Sequence, residues 1–183
     1  MSGDLIVRCC APTLAGIKTG SVFSLEFESK DQMTRELRQL NGVLSSCGIC
    51  ILLLRYHEKK ALLYLFRPAM LREDMKKGGA REILDETGYA GLRCGECIRR
   101  LVQRFHEGDG FPHEIGLFLS YPPEEVKGFI DNHAQNYKFI GYWKVYGDED
   151  KARKTFSRYK KCTDSYCRRL KNGQALSDLA VAI

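Results

Sequence analysis

Eight cysteines and four histidines carry the widest chemical repertoire in this 183-residue chain, and their spacing limits what they can do. Two pairs have C-x-x-C spacing, Cys47/Cys50 and Cys94/Cys97. Four thiolates can in principle make a tetrahedral zinc site. The 43 residues between the pairs exceed zinc-ribbon spacing. Neither pair has the Pro and Gly setting of a thiolate knuckle, so buried or incidental thiols are the expected reading. A thioredoxin-like redox pair would want its cysteines at the start of a helix after a strand. Cys47 falls instead at a predicted helix end, and Cys94 and Cys97 fall on a predicted helix. Cys10, Cys162 and Cys167 form the better set for a metal, with His113 as a further ligand. On an unbroken helix, five residues turn the chain by roughly 500°, which leaves Cys162 and Cys167 about 140° apart. Only a break near Thr163-Asp164 lets them share a metal. Cys162 also falls on an apolar stripe, where a thiol is more often core than ligand. Cys9 and Cys10 are adjacent, so at most one of them points into a given site.

His113-Glu114 follows Pro112 at a predicted strand entrance. A histidine there is a near-neutral acid, base or metal ligand, and a glutamate can orient it. Neighbouring strand residues face opposite ways, so the two need not act together. The alternative is a strand-edge pair that hydrogen-bonds the loop. No Ser/His/Asp spacing supports a triad, and the H-E lacks the second histidine of a zincin helix. Gly78-Gly79 and Gly108-Asp109-Gly110 lack the Lys-Ser/Thr continuation of a phosphate loop, and no GxGxxG follows a strand. Classical nucleotide binding is therefore disfavoured, while a flavin site without a motif stays open.

Residues 151–171 hold nine Lys or Arg against one acid, Asp164, in a chain of net charge +6, so the remainder is slightly acidic. Lys154, Arg158, Lys160, Lys161, Arg168 and Arg169 stand among Phe156, Tyr159 and Tyr166. Aromatic and basic residues interleaved in this way can stack bases and neutralise phosphates. They can also dock an acidic protein, or form a solvated helix face over ordinary core aromatics.

The elements that position these residues follow from periodicity. Residues 22–27 alternate as a half-buried strand does. Met33, Leu37, Leu40 and Leu44 make one helix face over 30–46, ended by Gly48. Residues 49–56 and 61–66 are apolar runs around a short polar turn, a β-hairpin. Pro68 opens a helix, Gly78-Gly79 breaks it, and helices follow over 80–87 and 92–106. Residues 114–119 read as a strand, Pro122-Pro123 starts a helix, and 139–146 read as a strand with Tyr142 and Lys144 on one face and Trp143 and Val145 on the other. A long helix begins near residue 149 with Ala152, Phe156, Tyr159, Cys162 and Tyr166 on one face, and a short helix covers 175–181. The predicted fold is α+β: a single domain over 1–183, with a mixed sheet of about five strands, a central hairpin and covering helices, an elaborated split β-α-β arrangement. A hydrophobic fraction of 44% supports a core. No apolar run approaches the roughly 20 residues that span a bilayer, and no signal peptide is visible, so a soluble cytoplasmic protein without a membrane partner is expected. Without a secretion signal, the cysteines read as thiols rather than a disulfide framework.

Four blocks carry a resemblance: CAPTLAGIK at 10–18, FPHEIGLFLSYPPEEVKGFI at 111–130, NYKFIGYWKVYGD at 136–148 and RYKKCTDSYC at 158–167. Together they resemble an uncharacterised domain-of-unknown-function family of anaerobic Gram-positive bacteria. Ser120 stands where that pattern has Gly, and His133 and Phe139 also depart from it. The resemblance singles out Cys10, Lys18, His113, Glu114, Trp143, Lys144, Tyr146, Cys162 and Cys167. It implies a setting beside flavodoxin or iron-acquisition functions, and hence a metal, iron, haem or flavin ligand, or an acidic flavodoxin-like partner. The expectation is an accessory protein of iron or redox metabolism. The alternatives are a nucleic-acid-binding or regulatory module using the basic-aromatic surface, and an enzyme with His113 as acid or base and Cys10 as nucleophile.

Overall fold

In the computed structural model, which describes residues 3–107 and 111–183, the first helix shows why its sequence is apolar at three- and four-residue spacing. Ile6, Val7, Cys10, Ala11 and Leu14 lie along one side of α1 (Gly3–Leu14), and all five are buried. Three antiparallel strands follow, β1 (Gly20–Glu26), β2 (Cys50–His57) and β3 (Lys60–Phe66), in the order β1-β3-β2. The two-residue turn Glu58-Lys59 has positive φ at both positions (48° and 66°), the primed geometry that matches strand twist. Between β1 and β2 runs α2 (Lys30–Leu44), capped by Ser29, whose hydroxyl accepts from the Gln32 N–H. Met33 and Leu44 are buried, with Leu37 and Leu40 packed on the same core, as the periodicity predicts. Asn41 on α2 accepts from the Ile51 N–H and donates to the Ile51 carbonyl (2.9 and 2.8 Å), satisfying edge strand β2 where a fourth strand would pair.

The chain divides into two compact units, Met1–Met70 with Tyr159–Ile183, and Leu71–Arg158. The first holds these elements. It is organised around Arg67, which follows β3 and is 1% exposed. Its guanidinium donates to the carbonyls of Thr13 and Leu14 (both 2.7 Å), Cys47 (2.9 Å) and Val181 (2.7 Å). Thr13 and Leu14 end α1, and Cys47 ends the 3₁₀ turn Ser45–Cys47 after α2. Helix C-termini present unpaired carbonyls and partial negative charge, so the cation is held by helix ends where a carboxylate would otherwise serve. Val181 is fastened in return, its N–H donating to the Leu14 carbonyl at 3.0 Å.

The second unit contains α4 (Gly78–Leu84), which loosens into a π turn over Asp85–Tyr89, then α5 (Cys94–Arg104), α6 (Ile115–Phe118) and α7 (Pro123–Asp131). α3 (Pro68–Asp74) leads into it. A two-stranded hairpin, β4 (Phe139–Ile140) with β5 (Lys144–Val145), precedes α8 (Glu149–Lys171). The short α9 (Leu176–Leu179) belongs to the first unit.

The α+β class and the central hairpin agree with the sequence reading, and the described residues hold five strands, the number expected, though not all where they were expected. The strands form two small antiparallel sheets, where one mixed sheet was expected. Two predicted strands are corrected. Residues 114–119 are helical around α6: Ile115, Gly116, Leu117 and Phe118 are all buried, and a short run buried on every side has no alternation to tell strand from helix. Residues 139–146 split at Gly141, where a Cβ would stand 2.2 Å from the Phe156 ring; that close approach turns the chain back into a hairpin. Gly78-Gly79 begins α4 instead of merely ending α3. Gly108-Asp109-Gly110 lies outside the described residues. No helix among the described residues is long and apolar enough to cross a membrane.

Replacing Arg67 with Ala removes a charged donor from four carbonyls at once, two of which, those of Thr13 and Leu14, keep one backbone donor each, so the first unit is expected to lose about 2–3 kcal/mol. Arg67→Lys restores little, because an ammonium cannot reach the four acceptors of a planar fork. Urea denaturation followed by circular dichroism measures both.

Lys18 gives a pH signature. It is 6% exposed, and burial lowers its pKa to about 8 from an ordinary 10.5. Below pH 8 both folded and unfolded states carry the proton, and the cost of burying the ammonium is present in full. Above it, the folded state releases a proton that the unfolded chain keeps, so stability rises with pH. Burial pushes the nearby Cys10 thiol far above its ordinary value near 9, so above that pH the unfolded thiol ionises first and stability falls again. The expected profile rises between about pH 8 and 9, and Lys18→Met flattens that rise while stabilising the protein at neutral pH by on the order of 1–3 kcal/mol. Denaturation midpoints at stepped pH provide the check.

Candidate functional site

The segment from Phe111 to Lys144 builds a cavity of about 290 Å³ inside the second unit. α6 supplies Ile115 and Gly116, and Leu119 and Tyr121 follow it. Gly116 is required there, since a Cβ would stand 2.7 Å from Val126. The Pro122-Pro123 entry sets α7 so that Glu125, Val126 and Phe129 face the cavity together. Trp143 and Lys144 enter from the β4–β5 hairpin, and Phe111 and His113 complete the lining.

The walls are tied by specific contacts. Glu125 is 4% exposed, and one of its oxygens accepts the backbone N–H groups of Tyr146 and Gly147 (2.5 and 3.0 Å), which ties α7 to the strand after Trp143. Trp143 is 8% exposed; its ring lies 4.9 Å from Tyr121 and 4.4 Å, edge-on, from Phe156 of α8. The Tyr121 hydroxyl donates to the Tyr142 carbonyl at 2.9 Å. His113 packs edge-on against Phe129 with centroids 5.0 Å apart.

Two polar features stand at or beside the cavity. The Lys144 ammonium donates to the Ala134 carbonyl at 2.8 Å and lies 4.6 Å from the Tyr137 ring and 5.8 Å from Phe129. Among the described residues it makes no salt bridge, so donors of a half-buried cation stand beside an aromatic wall. The Trp143 indole N–H and the Tyr146 hydroxyl are buried without a hydrogen-bond partner among the described residues.

Of the candidates read from the sequence, the cavity brings together His113, Trp143 and Lys144. Tyr146 stands beside it through its backbone bond to Glu125. Glu114 points elsewhere: it is 2% exposed and accepts from the Tyr89 hydroxyl (2.7 Å) and from Arg104 (2.9 Å), locking the π turn, α5 and α6. Cys10 and Lys18 lie in the first unit, Cys10 within its apolar core and Lys18 on the link from α1 to β1. α8 is unbroken through residues 163–164, so Cys162 and Cys167 diverge around it, and both pack against that same core. Among the described residues no three of His, Cys, Asp and Glu gather as a metal would need. Lys154, Arg158, Lys160, Lys161 and Arg168 are exposed on α8; Lys160 pairs with Asp164 at 3.0 Å. Arg169 covers Tyr166 and donates to Gln174.

The sequence reading missed Tyr121, Glu125, Val126 and Phe129 as cavity residues. Their signal lay in the 111–130 block: a diprolyl start fixes the helix phase, and positions 125, 126 and 129 then share a face.

Ser120 bridges the α6 and α7 walls with φ of 63°, in the left-handed region, at the position where the sequence pattern has Gly. Ser120→Gly removes a steric cost of about 1 kcal/mol. The expected result is a higher urea midpoint with an unchanged slope.

Searches of curated proteins and of solved structures return no match. A family model matches residues 6–180, nearly the whole chain and the span over which the four sequence blocks lie. This chain belongs to the family described as "Protein of unknown function (DUF3793)".

Proposed function

We propose that the protein is a binding module whose cavity takes a flat, mainly apolar ring system with an anionic or acceptor edge, and that a flavin ring is the ligand class. The observation that carries this is the placement of the Lys144 ammonium, without a carboxylate partner among the described residues, at the wall of a cavity lined by Phe111, Tyr121, Phe129 and Trp143. Aromatic walls favour planar groups, and a cation with spare donors favours an acceptor on their rim. The volume of about 290 Å³ is at the small end for ligand sites, which suits a ring system with its tail outside better than a whole porphyrin. A metal reading has less support, because the thiols proposed for it are occupied in packing. In this reading the protein carries or senses its ligand, and His113, packed on Phe129 at the cavity, is a positioning group.

Trp143 is the only tryptophan, so its emission reports directly on the cavity. Flavin mononucleotide and riboflavin are expected to quench it saturably. Lys144→Met is expected to weaken binding about tenfold by removing a charged donor, and Phe129→Ala to weaken it by a similar factor. Circular dichroism establishes that each variant is folded. Absence of saturable quenching up to about 1 mM flavin, or quenching by haemin alone, overturns the flavin reading.

A further inference from the structure

The Cys94/Cys97 pair, on which the proposed ligand cavity makes no demand, opens a helix. Cys94 is the first residue of α5 and Cys97 the fourth. Residues three apart in a helix stand on one face with Cβ atoms about 5–6 Å apart, and the backbone of a first turn is held by fewer intrahelical bonds than the interior, so a disulfide there needs only a small adjustment. The two thiols have unequal surroundings. Cys94 is partly exposed. Cys97 is 1% exposed, with its thiol donating to the Leu92 carbonyl at 3.6 Å. That carbonyl also accepts from Arg81 at 3.3 Å, which brings a guanidinium beside the buried sulfur. Arg72 of α3 acts on Cys94 in the same direction, favouring a thiolate. Glu96 opposes it at Cys97, and burial raises both thiols above their ordinary value. Gly95, between the two, would carry a Cβ that meets nothing within 4 Å, so no neighbouring group covers that part of the turn.

We propose that Cys94 and Cys97 form a dithiol–disulfide couple, with Cys94 as the attacking thiol and Cys97 as the resolving one, and with a low-molecular-weight disulfide as the oxidant. The Cys94 thiolate attacks one sulfur of that disulfide and displaces the other as a thiolate, leaving a mixed disulfide on Cys94. The Cys97 thiolate then attacks the Cys94 sulfur and displaces the second small thiolate. The two cysteine protons end on the two released thiols; the cysteines are oxidised by two electrons and the small disulfide is reduced by two. A partly exposed first sulfur and an enclosed second one suit these steps, because only the first must meet a reagent from solution.

The test uses the full, reduced protein and oxidised glutathione, followed by alkylation, tryptic digestion and mass spectrometry. Both cysteines fall in one peptide, between Arg93 and Arg99. The wild-type peptide is expected to lose two hydrogens and retain no glutathione. Cys97→Ser, or Cys97→Ala if the serine variant does not fold, is expected to hold one glutathione on Cys94 and to release it at least about tenfold more slowly. Exposed Cys9 is the internal reference for simple exchange. A wild-type peptide that stops at the glutathione adduct, or stays fully alkylatable while Cys9 reacts, overturns the proposal.

Discussion

A guanidinium held by backbone carbonyls organises the first unit of this protein. Arg67 is buried, and its side chain is satisfied by carbonyls from the end of α1, from the 3₁₀ turn after α2, and from the chain near the C-terminus. A buried ion pair would have balanced the charge with one acid from one place. Two helix ends and the extended chain at Val181 balance it with partial charges from three places, and the same bonds fix how those segments meet β3. The CAPTLAGIK block acquires a physical meaning here. Two of its carbonyls, those of Thr13 and Leu14, hold Arg67, its Cys10 fills the core, and its Lys18 is an enclosed amine whose protonation opposes folding.

The second unit uses a different device. Its helices are short, and its shape is maintained by buried carboxylates that each join segments distant in sequence. Glu114 accepts from Tyr89 and Arg104, and Glu125 accepts from the N–H groups of Tyr146 and Gly147. Close approaches at glycines supply the rest: Gly128 admits the Tyr146 ring where a Cβ would stand 2.6 Å from it, and Gly141 admits Phe156. With α7, the hairpin and α8 held in this way, the aromatic rings have limited freedom to collapse on one another, and a cavity persists between them.

The helices and the hairpin were legible wherever one period dominated: the Met33–Leu44 stripe, the 49–66 hairpin and the Ala152–Tyr166 stripe all agree with the structure. The strand reading failed at 114–119 and 139–146. In the first the residues are buried on every side, and in the second a glycine contact with a ring outside the segment imposes the turn. The alternation of Tyr142, Trp143, Lys144 and Val145 between more exposed and buried sides still came through, although Tyr142 and Trp143 lie in the bend between β4 and β5. The same logic divides the site. Trp143, Lys144 and His113 stood out by residue type, whereas Glu125 and Phe129 read as ordinary helix residues.

By itself, then, the sequence determined the family, the α+β class and the periodic elements, because these depend on residue type and on neighbours a few positions away. It also contained the geometric demand that Cys162 and Cys167 could meet only across a break in their helix. Tertiary structure decided the outcomes that depend on distant partners: that helix is continuous, Glu114 is committed to Tyr89 and Arg104, and Cys94 opens a helix beside Arg81. It also decided that Lys144 meets the rings of Tyr137 and Phe129. The energy of a buried charge is set by what surrounds it in space, and the order of residues along the chain does not state those surroundings.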